Sequence, residues 1–290
     1  MTKRPSLPAR LGLAAAAAAL TTACTPLGLF ATLSPKDSAL RSAQNVAYGP
    51  HPRQALDVYA PRSATGSAPV AVFFYGGSWD SGRRQDYNWA GRALAARGFV
   101  TIVADYRLYP EVRYPGFLED GAQAVRWAAD HAAQYGGDPS RIVLVGHSAG
   151  AYNAVMLGLD GRYLRAAGVD PRQVKAVAGL AGPYAFIPLD GPVTRRTFGE
   201  AKDLAATQPI AYARADAPAA FLATGDADTT VYPRNTVRLA KALREAGAVV
   251  EERHYPGVDH IRIVLALSRP LRGQAPVLDE MAAFLRKHAG

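Results

Sequence analysis

Short apolar runs separated by segments of helical periodicity recur along most of this chain, and that alternation limits the fold more than any other feature. Val70 to Tyr75, Val100 to Asp105, Ile142 to Val145, Val174 to Leu180, Ala219 to Thr224 and Val249 to Tyr255 read as strands. Continuous apolar runs are what strands covered on both faces require. Trp89 to Arg97, Pro115 to Tyr135, Ala149 to Leu159 and Pro233 to Ala246 read as the helices between them, and a last helix, Pro276 to Lys287, closes the chain. Ahead of these, Val46 to Tyr48 and Leu56 to Tyr59 flank a Gly49-Pro50-His51-Pro52 turn and predict an opening hairpin. Strand, helix and strand in repetition imply an α/β fold, a mostly parallel central sheet with helices on both faces. With 290 residues, 49% of them hydrophobic and 20% charged, one large domain fits better than two small ones. Ligands of such sheets bind beyond the carboxyl ends of the strands, so functional residues are expected just after each apolar run.

Gly146-His147-Ser148-Ala149-Gly150 stands in that position, between the run Ile142 to Val145 and a helical segment. A G-x-S-x-G pentapeptide between strand and helix is a nucleophile elbow: a sharp turn that lifts the serine hydroxyl off the sheet, beside a helix N-terminus that favours negative charge. A serine needs a base, and the base needs an orienting acid, in the chain order Ser, Asp or Glu, His. Of the 6 histidines, His51 and His131 precede the serine, His147 adjoins it, His254 lies within a strand pattern and His288 is near the end. His260 follows the last strand by a short loop and is the candidate base. The acid is expected after Ala219 to Thr224, where Asp228 ranks ahead of Asp226, which sits closer to the strand and suits a turn-holding role. Tyr75-Gly76-Gly77-Ser78-Trp79, after another strand, offers backbone N–H groups for an oxyanion, and the amide of Ala149 offers another.

Together these segments resemble the α/β-hydrolase esterases of the hormone-sensitive-lipase and kynurenine-formamidase-like groups, over most of residues 43–287. Leu56-Asp57-Val58-Tyr59 is similar to their opening strand, Tyr75 to Trp79 to their H-G-G-x-W loop, and Asp105-Tyr106-Arg107-Leu108 to their D-Y-R-L segment. Gly137 to Arg141, Gly225 to Val231 and Tyr255 to His260 are similar to the segments that lead to the elbow and carry the acid and the histidine. The resemblance implies an α/β-hydrolase fold, the acid at Asp228, and oxyanion donors at Gly77, Ser78 and Ala149. Tyr75 departs from it, standing where the group has histidine.

Specificity is expected in a short insert after the sixth strand, Gly182 to Ala217, with Tyr184 and Trp79 as candidate pocket residues; anchoring of its own loop is the other reading of Trp79. Arg107 is expected in an ion pair with Glu119 or Asp120. The activity expected is hydrolysis of small to medium acyl esters through an acyl-enzyme. Alternatives are an arylformamidase-like amidase or a peptidase on the same residues, or a ligand-binding envelope lipoprotein on an inactive scaffold. No metal-ligand cluster, dinucleotide fingerprint or P-loop is present, so no metal and no cofactor is expected. The net charge of +9 is spread without a basic run or recognition motif, which disfavours nucleic acid as a partner.

At the N-terminus, Lys3, Arg4 and Arg10 precede the apolar stretch Leu11 to Leu20, which contains the alanine run Ala14 to Ala19 and is too short to span a bilayer. This is the pattern of a signal peptide, residues 1–23, and Thr21-Thr22-Ala23-Cys24 resembles a bacterial lipobox with Thr21 in place of its leucine. Cys24, the only cysteine, is the expected lipidation site; an ordinary secretory signal is the alternative. Residues 24–40 read as a flexible tether and 41–290 as the catalytic domain, exported to the cell envelope.

Overall fold

The computed structural model describes residues 26–62 and 67–290. Eight strands form one sheet: β1 (Leu40–Ala47), β2 (Ala55–Ala60), β3 (Ala68–Phe74), β4 (Val100–Ala104), β5 (Gly137–His147), β6 (Val174–Leu180), β7 (Ala219–Gly225) and β8 (Val250–Tyr255). Their order is β1-β2-β4-β3-β5-β6-β7-β8. The β1–β2 and β2–β4 pairs are antiparallel and all others parallel. The sheet and its topology are those of the α/β-hydrolase fold.

Adjacent residues of one strand point to opposite faces, and β3 shows what covers each. Phe74 lies beside Gly121 of the helix Gly116–His131 and Leu157 of the helix Ala149–Leu159, whereas Phe73 meets the Tyr87 ring at 5.8 Å. The first face therefore carries those two helices. The second carries Asn88–Ala95 and the last helix, Val277–Ala289, whose Phe284 packs on Phe221 of β7. Buried Val, Ile, Leu and Phe of β3 to β7 fill the space between. β8 is one edge, and its Glu251, Glu252 and Arg253 keep it charged, as an unpaired edge requires.

Part of the stretch read as a tether is helical. Pro26–Leu33 is a helix with Gly28 and Ala31 buried, and Phe30 meets Trp89 edge-on at 5.6 Å. Its proline and glycine are compatible with that: a proline at the first helical position loses no hydrogen bond, and the small residues let the helix sit close to the domain. Residues 1–25, with the expected signal peptide and Cys24, lie outside the described residues.

Candidate active site

At the carboxyl end of the sheet, β5 stops at His147 and the helix α4 starts at Ala149, where α1 to α3 denote Pro26–Leu33, Asn88–Ala95 and Gly116–His131 and α4 denotes Ala149–Leu159. Ser148 makes the turn alone, at φ 55° and ψ −124°, a conformation costly for a residue with a Cβ and held only by its surroundings. The closeness of strand and helix explains both flanking glycines. A Cβ on Gly146 would stand 2.1 Å from the Gly150 carbonyl oxygen, and one on Gly150 would stand 2.1 Å from that of Phe74.

The Ser148 hydroxyl donates to His260 Nε2 at 2.9 Å, and His260 Nδ1 donates to Asp228 Oδ2 at 2.8 Å. A carboxylate can only accept, so Nδ1 carries the proton and Nε2 presents its lone pair to the serine. The other oxygen of Asp228 accepts from the amides of Thr230 and Val231, both at 2.9 Å. Burial works to raise the Asp228 pKa, but the bonds from His260 and the two amides outweigh it and hold the carboxyl below its ordinary value. Asp226 faces outward and accepts from the Gly257 amide at 2.6 Å. Together with the Asp226 amide on the Tyr255 carbonyl and the Ala227 amide on the Val258 carbonyl, it ties the acid's loop to the histidine's loop. Asp259 accepts from the amides of Ile261 and Arg262 and does not reach its neighbour's ring.

The loop after β3 carries consecutive non-glycine residues at positive φ, Ser78 at 55° and Trp79 at 59°. Ser78, Ser148 and Ala149 line one cavity of about 490 Å³. Gly77 belongs to the turn itself: its carbonyl accepts from the amides of Asp80 and Ser81, both at 3.0 Å. Trp79 satisfies both of its readings. It lines the cavity, and its Nε1 donates to buried Asn153 at 3.0 Å while its ring meets Phe198 at 4.9 Å. Tyr184 is a correction. It is fully buried with its ring against Gly182 and is not among the residues that line the cavity, and Asn235 Oδ1 accepts from the amides of Tyr184 and Ala185. Phe186, Ile187 and Val193 of the insert form the apolar wall instead.

Tyr75, in the histidine position, lies under the loop, stacked on Tyr106 at 4.9 Å and on Tyr87 at 5.6 Å. Its hydroxyl accepts from Arg53, which also donates to the carbonyls of Gly82 and Tyr106. Arg107 pairs with Asp120.

His147 does more than adjoin the serine. Its Nε2 donates to the His260 carbonyl at 2.8 Å, which fixes the base's backbone, and its Nδ1 is buried without a partner. Burial, then the neighbouring His260, lowers its pKa from 6.5 to about 3. Between those values the unfolded chain binds a proton at His147 that the folded chain refuses, so stability falls as pH falls through that window, by up to about 1.4 kcal/mol per unit. Asp228, with its lowered pKa, contributes in the same direction where carboxylates titrate. Urea midpoints measured from pH 6.5 to 4 should therefore drop less steeply for His147→Gln than for the parent. Equal slopes would place the acid sensitivity elsewhere.

The BD-FAE family model matches residues 56–243. A probable isoprenylcysteine alpha-carbonyl methylesterase of Oryza sativa subsp. japonica is 31% identical over 269 residues, 83% of this chain and 62% of that protein. Esterase LipC of Mycobacterium tuberculosis is 38% identical over 149 residues, 49% of this chain and 36% of that protein. Among solved structures, Thermogutta terrifontis esterase 2 phosphoramylated by tabun has a TM-score of 0.70 at 25% identity, with 87% of this chain and 96% of that one covered. The chain spans 62%, 54% and 59% of the length of three plant relatives that it matches. By the family match, this chain belongs to the BD-FAE family, within the hormone-sensitive-lipase-like group of α/β-hydrolase esterases.

Proposed function

We propose that this chain is a serine hydrolase of carboxylic esters with small to medium acyl groups. The hydrogen-bonded series Asp228, His260, Ser148 is the observation that carries the reading. In the reaction, Ser148 Oγ attacks the ester carbonyl carbon as its proton passes to His260 Nε2, and the carbonyl oxygen becomes an anion. On this reading the amides of Gly77, Ser78 and Ala149 stabilise it. Collapse breaks the bond to the alcohol, which leaves with the proton from His260. Water then attacks the acyl-enzyme, gives its proton to His260 and releases the acid, and the serine recovers its proton. Asp228 stabilises the imidazolium and keeps the tautomer. Names of relatives support the ester bond: methylesterase for the rice protein and esterase for the mycobacterial one. Every step of this reaction uses only this chain's own groups and water.

Fluorophosphonate labelling, read by mass spectrometry of the Ser148 peptide, tests the nucleophile. Parallel rates on matched esters, anilides, formamides and peptides test the bond, and faster turnover of the formamide or peptide would transfer the chain to the amidase or peptidase alternative. Loss of both labelling and turnover would favour a binding protein.

We further propose that the chain is exported and anchored by lipid on Cys24, a reading supported by the basic, apolar and small-residue order of residues 3–24. Expressed with its N-terminus in a bacterium that matures lipoproteins, it should partition with membranes, and Cys24→Ala should abolish that. An unmodified mature terminus downstream of Cys24, found by mass spectrometry, would establish the ordinary secretory signal.

A further inference from the structure

The two walls of the cavity beside Ser148 differ in chemistry. The insert supplies Phe186, Ile187 and Val193, while the opposite wall comes from the loop after β7 and the start of the helix Arg234–Glu245. That helix places Arg234 and Arg238 on the cavity, four residues apart and so on one helical face. The arrangement is unfavourable for the helix. It has no acidic residue in its first turn, and a cation there opposes the helix dipole. Two like charges at this spacing repel as well.

Other basic residues of the same helix are neutralised: Lys241 meets Glu245 at 3.6 Å and Arg244 meets Glu252 at 2.6 Å. Arg234 rests on the Tyr232 ring, with the guanidinium carbon 4.6 Å from its centroid. Among the described residues no carboxylate forms an ion pair with Arg234 or Arg238. Asp190 lines the cavity as well, so its lining holds two cations against one anion. Thr230 and Tyr232, between the arginines and the acid's loop, add hydroxyls that can donate.

We propose that this wall is an anion subsite: the preferred esters carry a carboxylate or similar oxyacid group, held by Arg234 and Arg238, and an apolar portion lying against Phe186. The guanidinium fork matches such a group in geometry as well as charge. The inference rests on the serine-esterase reading and adds the substrate's charge to it.

The test uses ester pairs that differ only in a carboxylate against a carboxamide, placed first in the acyl half (adipic acid monoester against its amide, common phenol) and then in the alcohol half (3-carboxyphenyl against 3-carbamoylphenyl butyrate). For the parent chain, kcat/KM should favour the anion in one of the two series. In the double variant Arg234→Gln, Arg238→Gln that preference should fall about tenfold, the size expected when two solvent-exposed ion pairs are lost. It should also weaken in the parent as salt rises. Each readout is a ratio within one enzyme, so a general loss of activity cancels. A parent that hydrolyses the amides as fast as the acids in both series, or a preference that survives in the double variant, overturns the subsite while leaving the esterase intact. No hydrolysis of any member by the parent would instead overturn the esterase reading.

Discussion

Replacing Ser148 by alanine is expected to lower kcat for an activated ester by roughly four to six orders of magnitude. The size follows from what is removed. Without Oγ no acyl-enzyme forms, and His260 can only activate water from a position built for a hydroxyl 2.9 Å away. What survives is acceleration by the oxyanion donors and by substrate positioning, neither of which needs the serine. Folding should be nearly untouched. Alanine meets the same backbone constraint at φ 55°, and the hydroxyl's bond to His260 is a single hydrogen bond, about 1 kcal/mol or less in net stability. Unchanged circular dichroism and thermal unfolding, beside lost turnover and lost fluorophosphonate labelling, would be the full signature. A variant that retained a tenth of the parent's kcat would remove Ser148 from the mechanism.

The alternation of apolar runs and helical segments was enough to locate the sheet because its central strands are buried on both faces. Burial of that kind leaves no polar position to confuse the pattern, and the helix Ala149–Leu159 and strand Val174–Leu180 begin and end where the periodicity changes. The elbow, acid and base were legible for a related reason. Each follows a strand directly, so the sheet alone brings Ser148 and His260, 112 residues apart, into contact.

Legibility failed where placement depends on partners distant in sequence and unmarked by any period. Tyr184 and Phe186 are both aromatic residues of the insert, yet only Phe186 lines the cavity, and the Asn235 that holds the Tyr184 amide lies some 50 residues later. Arg53 sits in an ordinary surface turn and nothing near it signals the hydroxyl of Tyr75. Asn153 left a clue: an amide within the apolar run Ala149 to Leu159 must find a buried partner, and that partner is Trp79. Pro26 and Gly28 do not announce the helix Pro26–Leu33, because proline at a helix start and glycine in a packed helix look the same in sequence as they do in a loop.

The two aspartates after β7 should separate by orders of magnitude. Asp228→Asn is expected to cost about four orders of magnitude in kcat. An asparagine in this place keeps the size and one oxygen of the carboxylate. The amides of Thr230 and Val231 need an acceptor and would hold that oxygen, which turns the NH₂ group toward His260 Nδ1. A donor there forces the proton onto Nε2, the atom that must accept from Ser148, and the imidazolium loses its counter-charge. Asp226→Asn keeps an acceptor for the Gly257 amide and does not touch the ring. Losing part of one hydrogen bond between two loops should cost less than about tenfold in rate. Steady-state kinetics on one neutral ester, with both variants checked for a parent-like thermal transition, decides between them. If Asp226→Asn proved the more damaging, the acid would have to be reassigned despite the 2.8 Å contact between Asp228 and His260.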